Sequence, residues 1–215
     1  MDVLLDNIDE LLAGFRTTLS MFVLSGVLAL LLGTVLAAMR VSPIPVLRTA
    51  GAGYVTVVRN TPLVVMFVLI VFGLPEVGIR PSFFVRAVLA LTIYTAAFVC
   101  EAVRSGINAV QPGQAEAARS LGMTFSQTLG LVVLPQALRS VVPPLVSILI
   151  ALTKNTAVAE VFGVLDAAYV LHNLIRDYPT ALYPLFFGVA AGYIAITLTI
   201  AGVGRLVERR LAVLR

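Results

Sequence analysis

Long uncharged apolar runs set the pattern of this chain. Thr17 to Met39 is a 23-residue stretch without a charge. At about 1.5 Å per residue, a helix of that length crosses a hydrocarbon core of roughly 30 Å. Tyr178 to Gly204 runs equally uncharged between Asp177 and Arg205. Three apolar stretches between them are shorter or interrupted. Thr61 to Leu74 needs Tyr54 to Val58 to reach span length, which places Arg59 inside it or at its edge. Ala87 to Cys100 must run on through Glu101 and Arg104, and Leu129 to Thr153 carries Arg139, Pro135, Pro143 and Pro144. The pattern predicts an all-α membrane bundle of five transmembrane helices at about 17–39, 54–74, 84–107, 129–153 and 178–204. Ionisable groups at membrane depth face protein or a water-filled cavity, because lipid exposure costs several kcal/mol each. The three middle spans are therefore the candidates for a pathway, and the two outer ones for scaffold.

Composition agrees with a bilayer as solvent. Of 215 residues, 60% are hydrophobic and 12% charged, with a mean hydropathy of +1.02, against roughly a quarter charged in soluble domains. A cleaved signal peptide competes for the first span, but the acidic Asp2, Asp6, Asp9 and Glu10 stand where a basic region is required. One cysteine, Cys100, and one histidine, His172, leave no material for an intrachain disulfide and little for a Cys/His metal site. His172 is assigned no role, and no metal or catalytic residues are expected.

The net charge of +4 points to loop asymmetry and not to nucleic acid. With five spans and a cytoplasmic C-terminus, the inner side holds Arg40, Arg48, Arg59, Arg119, Arg205, Arg209, Arg210 and Arg215. The outer side holds Arg16, Arg80, Arg86, Lys154 and Arg176. That excess favours an outer N-terminus and an inner C-terminus. The loop over 111–127 is then cytoplasmic.

Pro112 and Gly113 break the preceding helix, and Gln114 to Ser120 is rich in helix formers. Gly122 is placed to end that helix in a left-handed cap, and Thr124-x-x-Gln127 has the form of a capping box. Two short helices at an angle are expected, projecting on a glycine hinge. Such a knob suits docking into a groove on another protein.

Glu116-Ala117-Ala118, Gly122 and Leu134-Pro135 resemble the EAA signature of bacterial ABC importer permeases. The resemblance covers nearly the whole chain. Arg59-Asn-Thr-Pro62, Glu101-Ala-Val-Arg104-Ser-Gly-Ile107, Gly113 to Gly122, Leu134-Pro-Gln-Ala137 and Leu152-Thr-Lys-Asn-Thr156 are similar to the polar amino acid uptake branch, most of all to permeases of glutamate-uptake systems. Asn60 departs from that pattern, since many members carry glycine there. The resemblance implies a type I ABC importer permease fold in the bacterial inner membrane, working by alternating access. It implies that Gln114, Glu116, Ala117, Ala118, Arg119, Leu121, Gly122, Phe125, Leu134 and Pro135 couple to a pair of cytoplasmic ABC ATPase subunits. A second permease subunit, a paralogue more readily than an identical copy, and an extracytoplasmic amino-acid-binding protein complete the implied set of partners.

Arg59, Asn60, Thr61, Pro62, Glu101, Arg104, Lys154, Asn155 and Thr156 are the candidates for the substrate pathway. Glu101 and Arg104 are three apart on one helical face. They either neutralise each other inside the span or line the path, offering both signs to an amino acid zwitterion. Lys154 either snorkels at a span end or touches substrate or gate. Pro62, Pro135, Pro143 and Pro144 either expose backbone groups for a ligand or kink their helices for packing. The segment 155–177 is expected as an external amphipathic element, with Val158, Val161, Phe162, Leu165 and Tyr169 on one face.

No G-x-x-x-x-G-K-[ST] occurs, so the P-loop route to ATP is closed to this chain. ATP and magnesium belong to the partner ATPase subunits, and no cofactor is expected here. Two other classes compete: a non-transporting membrane scaffold or sensor, and an ATP-independent carrier, which is usually built from internal repeats not evident here.

Overall fold

The computed structural model describes residues 2–212; Arg215, counted above in the cationic tail, lies outside them. Among the described residues the chain is helical with no strand. The helices are α1 (Asp2–Asp6), α2 (Ile8–Val41), α3 (Pro45–Arg59), α4 (Leu63–Glu76), α5 (Phe83–Asn108), α6 (Pro112–Ser120), α7 (Phe125–Gln127), α8 (Leu134–Asn155), α9 (Ala167–Asp177) and α10 (Leu182–Ala212). Among the described residues, four helical stretches are long and apolar enough to cross a membrane: Ile8–Val41, Phe83–Asn108, Phe125–Phe162 and Pro179–Leu211. The bent pair α3–α4 makes a fifth if the two count as one span.

Small residues let α2 and α5 approach closely and form the spine of the bundle. Gly33 shows why size matters there: a Cβ on it would lie 2.6 Å from Val99 and 2.8 Å from the Ala96 carbonyl. Around that contact Ala29, Leu36 and Ala37 of α2 bury against Ala96, Ala97 and Cys100 of α5, with Val55 and Val58 of α3 closing the cluster. Toward the other end, Met21, Phe67, Val71, Leu91, Leu152 and Phe162 form a second core. A third joins Leu11 with Val170, Leu174, Leu185 and Val189, seating α9 between α2 and α10.

The stretch 54–74 is not one straight helix. It turns by 102° between α3 and α4. Thr61 precedes a proline and is biased out of the helical region, and Pro62 adopts an extended ψ of 142°. The polar residues at the break satisfy the carbonyls that α3 leaves open: Asn60 Nδ2 donates to Thr56 O at 2.7 Å and Thr61 Oγ1 to Val57 O at 2.8 Å.

The three other prolines behave differently. Pro135 cannot donate to the Leu131 carbonyl, and the turns before it widen into a π-helical stretch over Thr128–Val133, with Leu134 N bonding back to Leu129 O. This widening joins α7 directly to α8, so the second short helix expected after Gly122 is the first turn of a long one. Pro143 and Pro144 sit inside α8 without ending it.

The segment 155–177 also departs from one amphipathic face. A 3₁₀ turn over Thr156–Phe162 ends at Gly163 with φ +79°, and Asp166 then caps α9. The tighter winding and the left-handed residue reset the helical phase. Phe162 is consequently buried while Val161 and Leu165 are exposed.

Candidate translocation pathway and coupling surface

One carboxylate gathers three arginines in the middle of the bundle. Glu101 of α5 pairs with Arg40 at the end of α2, with Arg104 one turn along its own helix at 3.1 Å, and with Arg59 at the end of α3 at 3.6 Å. The Arg59 guanidinium also lies over the Phe98 ring, 5.4 Å from its centroid, a favourable placement for a cation on a π face. Helix geometry explains the set: Phe98, Glu101 and Ser105 recur at three- and four-residue spacing and share one face of α5. The 102° break delivers Arg59 to that face. The Tyr54 hydroxyl, donating to Ile93 O at 2.8 Å, holds α3 to α5 one turn earlier.

Three open cavities share the walls of this cluster. One of about 380 Å³ is lined by Arg40, Val55, Thr56, Arg59, Asn60, Phe98 and Glu101. A second, of about 520 Å³, adds Arg104, Ser105, Pro144, Ser147 and Ile148. A third, of about 250 Å³, lies further along the same face between Tyr94, Thr95 and Phe98 of α5 and Ile148, Ala151 and Asn155 of α8. Together they trace a strip along one face of α5, walled by α2 and α3 at the arginine cluster and by α8 further along, with Phe98 common to all three.

Of the residues expected in the pathway, Arg59, Asn60, Glu101, Arg104 and Asn155 line this strip. Thr61 and Pro62 shape the helix break instead. Lys154 is exposed and appears in none of the three linings. Thr156 is buried, its hydroxyl donating to Thr153 O at 2.7 Å. Glu101 is already engaged by three cations, so the surplus charge on the strip is positive. Arg40, expected only as a loop cation, joins the cluster. Its position at the end of the first apolar run is the mark of a positive-inside residue, and nothing in the linear pattern connects it to Glu101.

The expected coupling residues follow the end of α5, on α6, the Gly122 turn and the start of α8. Pro112 opens α6 at a position where its missing N–H costs nothing. The helix closes in a Schellman arrangement, with Met123 N donating to Ala118 O at 3.2 Å and Gly122 N to Arg119 O at 2.9 Å. Gly122 holds φ +84°, a conformation that penalises any Cβ. Thr124 and Gln127 then form the full capping box. Between these caps Leu121 and Phe125 project at 85% and 76% exposure. Gln114, Glu116, Ala117 and Arg119 are on α6, where Ala118 alone is buried, and Leu134 and Pro135 open α8. The result is a turn capped on both sides, with two large apolar side chains facing outward.

A helical bundle with a charged strip across it and a capped knob at one end is the membrane subunit of a transporter. Residues 29–213 match the family described as the binding-protein-dependent transport system inner membrane component. The chain belongs to that family: it is a multi-pass permease subunit of the inner membrane and carries no ATPase site of its own. It is 42% identical to the glutamate transport system permease protein GluC of Corynebacterium efficiens, over 93% of both chains. It is 36% identical to the probable glutamine ABC transporter permease protein GlnM of Bacillus subtilis, over 98% of this chain and 97% of that one. A crystal structure of an amino acid ABC transporter with histidines superposes at a TM-score of 0.88, with 34% identity and 96% of each chain covered.

Proposed function

We propose that this permease carries an acidic amino acid, glutamate, into the cytoplasm along the strip on this face of α5, driven by separate ATPase subunits that grip α6 and its Gly122 turn. The single observation that carries the cargo assignment is the excess of guanidinium over carboxylate at Glu101. Three arginines against one acid leave cationic donors for a second carboxylate. The glutamate permease among its relatives points the same way. A wall that keeps Glu101 paired favours the carboxylates of the cargo over its ammonium.

In this reading the N-terminus is outside and α6 is cytoplasmic. The strip is open along one side, and a second permease subunit, a paralogue, closes it. ATP and magnesium are held by the ATPase pair, and an extracytoplasmic binding protein delivers the amino acid. Closure of the ATPase pair draws the two α6 knobs together and turns the cavity outward.

The test is ATP-dependent uptake of labelled glutamate into liposomes holding this chain with its co-purifying subunits. Unlabelled glutamate is expected to compete better than glutamine. Gly122→Val is expected to keep membrane insertion and abolish uptake, because its Cβ meets nothing within 4 Å and the harm is confined to the turn. Uptake without ATP, or normal uptake by Gly122→Val, overturns the coupling assignment. Stronger competition by glutamine overturns the cargo.

A further inference from the structure

At the far end of the molecule from the arginine cluster, a second acid is buried with no cation beside it. Asp166 is 0% exposed. Its Oδ1 accepts the Tyr169 N–H at 3.0 Å, capping α9. Its Oδ2 faces the buried Tyr193 hydroxyl of α10, a polar group that carries no charge. Three elements converge here. The next residue, Ala167, donates its N–H to Thr18 Oγ1 of α2 at 3.2 Å. A Cβ on Gly14 of α2 would lie 3.0 Å from the Ala167 Cα, so the two backbones are nearly touching. Thr18 and Thr156 flank Tyr193.

We propose that Asp166 is a proton-operated latch that seats α9 against α2 and α10. One proton on the carboxyl removes its charge while the hydrogen bond shared with Tyr193 can persist. Without that proton, a full negative charge sits buried with no cation beside it, held only by the Tyr169 N–H and the uncharged Tyr193 hydroxyl and repelled by Glu160, which favours release of the cap and exposure of the group to water. Gly163, in the left-handed region just before Asp166, supplies the pivot.

The groups around the latch set its direction. From the 3₁₀ turn, Glu160 adds repulsion; it lies 3.9 Å from His172 Nδ1 of α9. From α10 comes Tyr193, while α2 contributes the uncharged Thr18. Burial is the main cause that pushes the Asp166 carboxyl from 3.8 up to about 7, opposed by the Tyr169 N–H and assisted by the Glu160 charge. Because the seated form holds its proton more tightly than the released form, seating is strongest in acid. It weakens as pH rises from about 4 toward 7 and then levels off.

Hydrogen exchange across residues 167–177, in the assembled transporter in lipid nanodiscs, reads the latch independently of transport. After correction for intrinsic exchange, protection in the native chain is expected to fall by on the order of tenfold per pH unit between pH 5 and 7. Above that it should stay flat. Asp166→Asn, which keeps the cap but cannot ionise, is expected to show no slope. Glu160→Gln is expected to move the levelling point to lower pH, and it tests the latch alone if the Asn variant does not assemble. A slope that survives in Asp166→Asn, a levelling point unmoved in Glu160→Gln, or a slope lost in His172→Gln overturns the proposal.

Discussion

Glu101 and Asp166 are both acids withdrawn from water, and they meet opposite neighbours. Glu101 is held among Arg40, Arg59 and Arg104, where opposite charge repays its desolvation. Asp166 has Glu160 as the charged group acting on it and is held by uncharged donors, the Tyr169 N–H and the Tyr193 hydroxyl. The first site ends with positive charge to spare, which suits a passage for anionic groups. The second ends with an unmet need for a proton, which suits a switch. A buried acid therefore has no fixed role in this protein; the count of cations around it decides.

The contrast can be broken most forcefully at Glu101. Glu101→Gln leaves three guanidiniums facing one another, and a loss of about 3 kcal/mol is expected, at about 1 kcal/mol for each of three half-buried pairs. Thermal unfolding in detergent would measure it, and the native midpoint in that variant would mean the arginines do not depend on their shared acid. Thr18→Val acts on the other site. It strips the acceptor from the buried Ala167 N–H, at an expected cost of about 2 kcal/mol, and it should raise exchange across 167–177 at every pH while keeping the slope. A smaller effect is expected at Tyr54→Phe, which removes a neutral hydrogen bond to Ile93 O next to the arginine cluster. About 1 kcal/mol or less should be lost, and a loss as large as that of Glu101→Gln would show that helix anchoring, and not charge pairing, holds the site together.

Elements whose physics is local could be read from the linear pattern. The Thr124–Gln127 capping box and the left-handed Gly122 depend on a few adjacent residues, and both follow their spacing. The Glu101–Arg104 pair is a helix neighbour effect, and it forms. Where phase must carry across a change of helix type, the linear pattern misleads. It groups Val161 and Leu165 with Phe162, but the 3₁₀ turn and Gly163 put them on different sides. The stretch 54–74 looked continuous because hydropathy does not register the angle that Pro62 imposes.

The linear order of residues is enough to specify the solvent of this protein, the caps around Gly122 and, through its ordered blocks, the family. Those properties come from apolar length, from backbone groups a few residues apart, and from residue identity. Which charges meet is settled by packing. Arg40 and Glu101 come together only because Gly33 lets α2 lie against α5, and Arg59 joins them only because the chain turns by 102° at Pro62. Asp166 became a lone buried acid only when α2, α9 and α10 closed around it. Electrostatic environment is set by distance in space and by the water that packing removes, and neither is written along the chain.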